Sequence, residues 1–397
     1  MKSRSVTLPV QLPVLDARQP SGPSGRMVCP HLPPCPGCPR FGENSLPIGY
    51  VRDILELAVR AGIEAEWVTG ERTGFRRRAR LAVRGRVGRP KIGIFEEGTH
   101  RVVDIPNCVI HHPVINEVAR ALKRGMGKLQ LSSYSENAGL GLVRGLQVAV
   151  AQKDDTAQVV LIANDTSMDS SLELLGCMAL ELGPRLQGLY WNGNAENSNR
   201  VLGAHFKRFA GEPFLVEEFG GAQAFLGPGA FGQNNTELFS KLVEGVHGWV
   251  PSGARVVEYY AGVGTLGLGL LEHAASVCFN EVAEASLAGL ARGIEALPEL
   301  VRARASVFPG PAAAHVALLA QADVVVVDPP RKGLEPELLN GLVANPPERL
   351  IYVSCGFESF KRECAELSAS FRLAALHAYD LFPYTEHVET VALFERR

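Results

Sequence analysis

No apolar run in this chain is long enough to cross a membrane, and its N-terminus lacks the apolar core of a secretion signal because Pro9 and Pro13 interrupt it. A cytoplasmic protein is therefore expected. Charge of one sign is not in excess either: 40 basic against 42 acidic residues leave a net −2, which argues against indiscriminate nucleic-acid binding. In that compartment eight cysteines do not make a disulfide framework. The middle third has no residues at catalytic spacing. What the chain does have is core material, 46 % apolar in 397 residues with 21 % charged, enough for two or three domains.

The organising stretch runs from Ala322 to Glu358. Val324-Val325-Val326-Val327 ends in Asp328-Pro329-Pro330-Arg331, and Leu350-Ile351-Tyr352-Val353 ends in Ser354-Cys355. Two β-branched runs separated by a helix-length segment (Leu334 to Asn345) read as consecutive buried parallel strands joined by a crossover helix. Ligands of an open α/β sheet sit beyond the carboxyl ends of its strands, where Asp328 and Cys355 fall. Taken singly, the first reads as a turn cap and the second as a small buried residue. As a pair they point to chemistry.

Regular strand-helix alternation begins at Arg255. Its first strand runs into Glu258-Tyr259-Tyr260-Ala261-Gly262-Val263-Gly264-Thr265, and its second (Ser276 to Asn280) into Glu281. Glycines after the first strand let backbone approach a bound nucleoside, and an acid ending the second accepts both ribose hydroxyls. With two glycines and no third at the dinucleotide spacing, the turn favours S-adenosylmethionine over NAD. A C-terminal antiparallel hairpin (His377 to Phe382, His387 to Phe394) is expected at a sheet edge, with Glu389 held between Val388 and Val391.

Upstream, residues 1 to 26 read as a flexible tail, residues 27 to 222 as an α+β module and residues 223 to 397 as the α/β domain. Cys29, Cys35 and Cys38 share a proline-stiffened loop whose sulfurs can converge, with Cys108 as the best fourth ligand. Four thiolates suit zinc or an iron-sulfur cluster equally, and His31 could replace one of them. An amphipathic helix is expected from Pro47, ended by Gly62. Nine cations lie between Arg72 and Lys91 with no acid among them, alternating as strands would. Their density favours a phosphate-contacting surface.

These residues resemble the class I S-adenosylmethionine-dependent RNA 5-methyluridine methyltransferases. The resemblance extends from Cys29 to Arg397 through the cysteine loop, Gly74 to Arg80, Phe231-Gly232-Gln233-Asn234-Asn235, the Tyr260 to Thr265 turn, Glu281, Asp328 to Arg331, Ser354-Cys355 and Phe382 to Glu389. It implies a Rossmann-like methyltransferase domain at the C-terminus and an RNA-binding central module. It further implies a four-iron four-sulfur cluster on Cys29, Cys35, Cys38 and Cys108. Cofactor contacts are implied for Gln233, Tyr260, Gly262, Thr265, Glu281 and Asp328, with Cys355 as nucleophile and Glu389 as base. The expected partner is RNA, ribosomal before transfer RNA, with no DNA or membrane and a monomeric enzyme. DNA cytosine enzymes carry their thiol in the Asp-Pro-Pro region, whereas here it lies one strand later.

The chain departs from the family pattern in three places. Gly356-Phe357 follows the nucleophile where Asn-Pro or Asp-Pro is usual. The third strand (Arg302 to Phe308) offers only Ser306 to meet an adenine, and no additional RNA-binding barrel is expected before Cys29. A non-catalytic RNA-binding relative is the alternative, disfavoured by the joint presence of Asp328, Cys355 and Glu389. A redox protein is weaker still, because it leaves those residues unexplained. Arg331 is expected to help ionise Cys355, with the Arg76 to Arg80 surface gripping RNA around a flipped-out uridine.

Overall fold

The computed structural model describes residues 28–196 and 200–397, so the expected tail lies outside the described residues. After the cysteine loop come α1 (Ile48–Ala61) and β1 (Ala65–Val68). Gly62 ends α1 as expected, taking φ +71° so that its N–H can close on Ala58 and Val59. A seven-stranded sheet follows, in the spatial order β4-β3-β2-β5-β6-β7-β8. It is made of β2 (Arg78–Arg86), β3 (Arg89–Phe95), β4 (Val102–Asp104), β5 (Val143–Val150), β6 (Ala157–Ala163), β7 (Leu186–Gly193) and β8 (His205–Gly211). One face of this sheet is covered by α2 (Pro113–Lys128) and α3 (Leu172–Leu182), which bury Val118, Leu122, Leu174 and Met178 against Leu81, Val148 and Leu161. Strand β8 has no counterpart in the sequence reading. Its alternation is masked by polar residues on a largely exposed edge.

A hairpin of β9 (Leu215–Phe219) and β10 (Ala222–Leu226) leads to α4 (Thr236–Gly248), whose first turn is capped by the Asn235 side chain on the Leu238 N–H at 3.2 Å. The C-terminal sheet then builds from β11 (Arg255–Tyr259), β12 (Ser276–Glu281), α5 (Glu284–Glu295), α6 (Glu299–Arg302), β13 (Ala305–Pro309), β14 (Val324–Val327), α7 (Pro336–Ala344), β15 (Arg349–Ser354), α8 (Phe357–Leu367), β16 (Phe371–Tyr379) and β17 (Glu389–Arg396). Its eight strands lie in the order β1-β16-β17-β15-β14-β11-β12-β13, all parallel save β17. The order reverses between β11 and β14, the crevice where such sheets bind ligands. Both faces are covered, as a parallel sheet requires: α4 packs on one, and α1, α7 and α8 on the other.

Two expectations about this sheet are corrected. The C-terminal hairpin is not at an edge, because β17 inserts between β15 and β16 and the edge is β1. Residues 48–68, expected with the central module, complete the C-terminal sheet: β1 pairs with β16 from Ala65↔Leu376 to Val68↔Tyr379. Among the described residues no helix is long and apolar enough to cross a membrane.

Candidate active site and thiol centre

The register of β15 and β17 brings the expected pair of residues together. Ser354 stands opposite Thr390, so Cys355 and Glu389 lie one step further along neighbouring strands at the same end of the sheet. Arg331, four positions after β14, reaches the same place. Burial pushes the Cys355 thiol up to about 11, helped by the charges of Glu389 and Asp328, while Arg331 opposes the rise. Burial and Asp328 likewise raise Glu389, which is 2 % exposed, well above the ordinary carboxylate range, again with Arg331 in opposition. Arg331 is thus the cation that both groups share.

A cavity of about 450 Å³, within the usual range for small-molecule sites, opens at Cys355 and is lined by Arg331, Cys355, Phe357, His387, Val388 and, from α1, Tyr50, with Glu389 buried directly after Val388. The Tyr50 ring lies 4.6 Å from that of Phe357, and its hydroxyl shares a hydrogen bond with Thr390 Oγ1 at 2.6 Å. That α1 walls the cavity is not legible in the sequence, where Tyr50 is one more apolar-face residue. The Gly356-Phe357 departure has a steric basis. A Cβ on Gly356 would lie 2.4 Å from the Arg331 carbonyl oxygen, so only glycine lets the loop after Cys355 close against Arg331.

At the adjoining strand ends three carboxyls gather. Glu281 accepts the N–H groups of Gly262 at 2.8 Å, Val282 at 2.8 Å and Ala283 at 2.6 Å, which ties the glycine turn to β12. Burial raises Asp328 to about 7. Glu258 is raised well above the ordinary carboxylate range by burial and by Asp328 and Glu281, and its Oε2 is buried without a partner. Sequence reasoning passed over Glu258, although an acid near the end of an apolar strand was the available signal. Tyr260 takes φ +60° and its hydroxyl accepts the Glu335 N–H at 3.1 Å, while Gly262 and Gly264 take φ +58° and +84°. Thr265 is half-buried beside this turn. Gln233 is held through its carbonyl by Arg78 Nη1 at 2.5 Å. Ser306 lies exposed near the start of edge strand β13, three positions before the carboxyl end at Pro309.

The four expected thiols line one cavity of about 270 Å³ together with His31, Arg76 and His111. Cys38 is raised to about 12 by burial and then by Cys108, Cys35 and Cys29, a sign of mutual repulsion at close quarters. Cys35 and Cys108 rise for the same two reasons. His31 Nε2 and His111 Nδ1 are buried there without partners. Yet among the described residues no three His, Cys, Asp or Glu side chains are arranged to hold a metal ion. The four thiols share one cavity without forming such a group.

The basic run is the largest correction. Arg72 pairs with Asp380 at 3.0 Å, Arg77 with Asp155 at 2.9 Å, Arg78 with Glu217 at 3.3 Å, and Arg84 with Glu136. Arg76 is turned to the thiol cavity. The acids missing from the run arrive from distant segments, so most of these arginines hold the fold together. Only Arg80, Arg86, Arg89 and Lys91 remain exposed.

Residues 317–397, which carry Asp328, Cys355 and Glu389, match the tRNA (uracil-5-)-methyltransferase family model. The chain is 35 % identical to an uncharacterized RNA methyltransferase of Protochlamydia amoebophila over 93 % of its own length and 97 % of that protein's. A second such protein, of Geobacter sulfurreducens, is 29 % identical over 93 % of this chain and 77 % of its own. The fold matches the crystal structure of Pyrococcus abyssi tRNA (uracil-54, C5)-methyltransferase in complex with S-adenosyl-L-homocysteine, with a TM-score of 0.73 and 24 % identity across 86 % of this chain and 81 % of that one. Similarity over nearly the whole length, with the family match covering the strand ends where thiol and carboxyls meet, places the chain among the S-adenosylmethionine-dependent RNA uracil-5-methyltransferases.

Proposed function

We propose that the enzyme methylates carbon 5 of an RNA uridine through a covalent adduct, with Cys355 as nucleophile and Glu389 as base. The observation that carries this reading is the placement of a thiol and a buried carboxyl on adjacent strands, the thiol lining a cavity and the carboxyl following Val388 in its wall, with the charge of Arg331 felt by both. Carbon 5 of uracil is a weak nucleophile. Addition of the Cys355 sulfur at carbon 6 pushes an electron pair onto carbon 5, which then takes the methyl group. S-adenosylmethionine, when bound, supplies that methyl group as an electrophile. Glu389 then removes the carbon 5 proton, and the released pair re-forms the ring double bond and expels the sulfur.

The electrostatics favour this order. A Cys355 thiolate and a Glu389 carboxylate disfavour one another. Once sulfur is bonded to carbon 6 it carries no charge, and Glu389 can ionise beside Arg331 as the base. Glu258, Glu281 and Asp328 together suit a ligand that carries positive charge and ribose hydroxyls, and with Gln233, Tyr260, Gly262 and Thr265 they form the proposed cofactor cradle.

The test is a denaturing gel after incubation with 5-fluorouridine-substituted RNA and labelled cofactor. Fluorine cannot leave as a proton, so the methylated protein-RNA adduct should persist, and Cys355→Ala should abolish it. Sequencing the trapped RNA names the substrate, ribosomal or transfer. No adduct from protein that still binds RNA and cofactor would refute the mechanism.

Cys29, Cys35, Cys38 and Cys108 would hold the proposed four-iron four-sulfur cluster, which spans more space than one ion and would relieve the crowding of their thiolates. Bound there, it would supply a structural crosslink. Protein purified without oxygen should contain about four iron and four sulfide per chain with a broad visible absorption band. Stoichiometric zinc with no sulfide would refute the cluster.

A further inference from the structure

The base Glu389 begins β17, and the loop that delivers it, residues 380–388, is fixed less by its own strands than by a segment more than three hundred positions earlier. Asp380, at the start of the loop, is 4 % exposed and pairs with the equally buried Arg72 at 3.0 Å. The second guanidinium nitrogen of Arg72 donates to the Glu43 carbonyl at 3.0 Å. Its guanidinium carbon lies 4.5 Å over the Tyr384 ring at the apex of the loop. Tyr384 is itself buried, takes φ +66°, accepts the Arg40 N–H on its carbonyl at 3.1 Å and has Phe41 at 5.0 Å. Tyr384 also belongs to the apolar cluster that contains Cys38, Phe75 and Ile110. One arginine therefore clamps both the start and the apex of the loop, using the chain just after the third thiol as the backing.

A charge buried this deeply is an expensive way to hold a loop, and an apolar contact would serve for stability alone. A guanidinium offers what an apolar side chain does not: a planar fork that fixes a carboxylate, a carbonyl and a ring face at set angles. The element so fixed leads, without interruption, into Val388 and Glu389, both 2 % exposed. A base must sit within hydrogen-bond reach of the proton it takes, and a displacement of about 1 Å can cost about 100-fold in rate.

We infer that Arg72 is a positioning residue for the base: through Asp380 and Tyr384 it sets the loop that places Glu389 over carbon 5, and so governs proton removal rather than adduct formation. The inference rests on the reading of Glu389 as base, and its test keeps the two apart. Purified variants are incubated with cofactor and total RNA from a strain deleted for the gene, containing ordinary uridine, and resolved on a denaturing gel. Wild type should leave no adduct because the base releases it. Glu389→Gln should accumulate RNA bound to Cys355, and its failure to do so would overturn both the base assignment and this inference.

If Glu389→Gln does trap RNA, then Arg72→Lys, which keeps the charge and loses the fork, should also accumulate adduct, with turnover at least tenfold slower and 5-fluorouridine trapping at the wild-type rate. Asp380→Asn should behave alike and serves if Arg72→Lys does not fold. Cofactor affinity, measured at strand ends remote from the clamp, should stay within twofold. Wild-type turnover in Arg72→Lys would overturn the inference. So would slow turnover without adduct in a variant that binds cofactor normally.

Discussion

The two large sheets of this protein use charged residues in opposite ways. In the C-terminal sheet the acidic groups proposed to carry chemistry stand at or next to strand ends, and their burial is left partly uncompensated: Asp328, Glu258 and Glu389 are all raised, and Glu258 keeps an unpartnered oxygen. In the central sheet the conspicuous charges sit within or beside the strands and find partners: Arg77 with Asp155, Arg78 with Glu217, Arg84 with Glu136. Unspent electrostatic strain marks a functional site, whereas a satisfied ion pair marks architecture. Place in the fold, more than residue type, separates the two.

The largest effect expected from that distinction is at Cys355. Cys355→Ala should reduce methylation to the background of the assay while leaving cofactor binding and thermal stability close to wild type, measured by radiolabel transfer and calorimetry. Substantial residual turnover would break the contrast by making Cys355 an ordinary half-buried thiol. Next comes Glu389→Gln, which should slow turnover by about 10²- to 10⁴-fold, the usual worth of a general base. Because burial raises the Glu389 carboxyl well above the ordinary carboxylate range and glutamine is its neutral isostere, the melting temperature should hold or rise. A large loss of stability would show that Glu389 is structural.

Arg78→Ala sharpens the other side of the comparison. Arg78 pairs with Glu217, whose side chain is 1 % exposed, and also holds the Gln233 carbonyl. Removing one partner leaves a buried charge unpaired, which typically costs about 3–5 kcal/mol. The expected result in chemical denaturation is a loss of that order, with cofactor affinity falling as the Gln233 segment loosens. If stability is unchanged and only RNA affinity drops, Arg78 belongs to an RNA surface after all.

Much of the C-terminal sheet was legible in the sequence because its buried strands are short β-branched runs, so Asp328, Glu281 and Cys355 could be placed at their ends by inspection. That Glu389 lies beside Cys355 was not, since it depends on β17 entering antiparallel between β15 and β16. Nor could the assignment of α1 and β1 be read: β1 has four residues of mixed burial, and its partner strand lies at the other end of the chain. The arginine run misled for a related reason. Its neutralising acids, Asp155, Glu217, Glu136 and Asp380, are distant in sequence and adjacent only once folded. Local pattern carries secondary structure well and charge balance poorly.

A smaller effect concerns pH. Burial and neighbouring carboxyls raise the Cys355 thiol to about 11. Well below that value the thiolate fraction grows about tenfold per pH unit. The rate of adduct formation with 5-fluorouridine RNA should therefore climb with a slope near one from about pH 6.5 to about pH 8.5. Arg331→Ala removes the cation that opposes the rise, so it should lower the rate at every pH in that range. A flat profile would show that another group takes the thiol proton before addition.

The smallest effect tests where RNA meets the central sheet. With Arg77, Arg78 and Arg84 committed to internal pairs and Arg80 bonded to Gln147, the exposed cations left to touch phosphate are those at the end of the β2–β3 hairpin, Arg86 and Arg89, which face one another, with Lys91 beside them. A surface cation that contacts phosphate contributes through counterion release, so each of Arg86→Ala and Arg89→Ala should weaken RNA binding only a few-fold and reduce the salt dependence of log K by about one. Neither should move the melting temperature, because surface substitutions away from packed features usually change stability by about 0.5 kcal/mol or less. The pair thus predicts the reverse of Arg78→Ala: affinity falls and stability holds. If the salt slope is unchanged in both variants, the hairpin does not touch RNA, and the phosphate contacts must come from cations outside the run that first drew attention to this sheet.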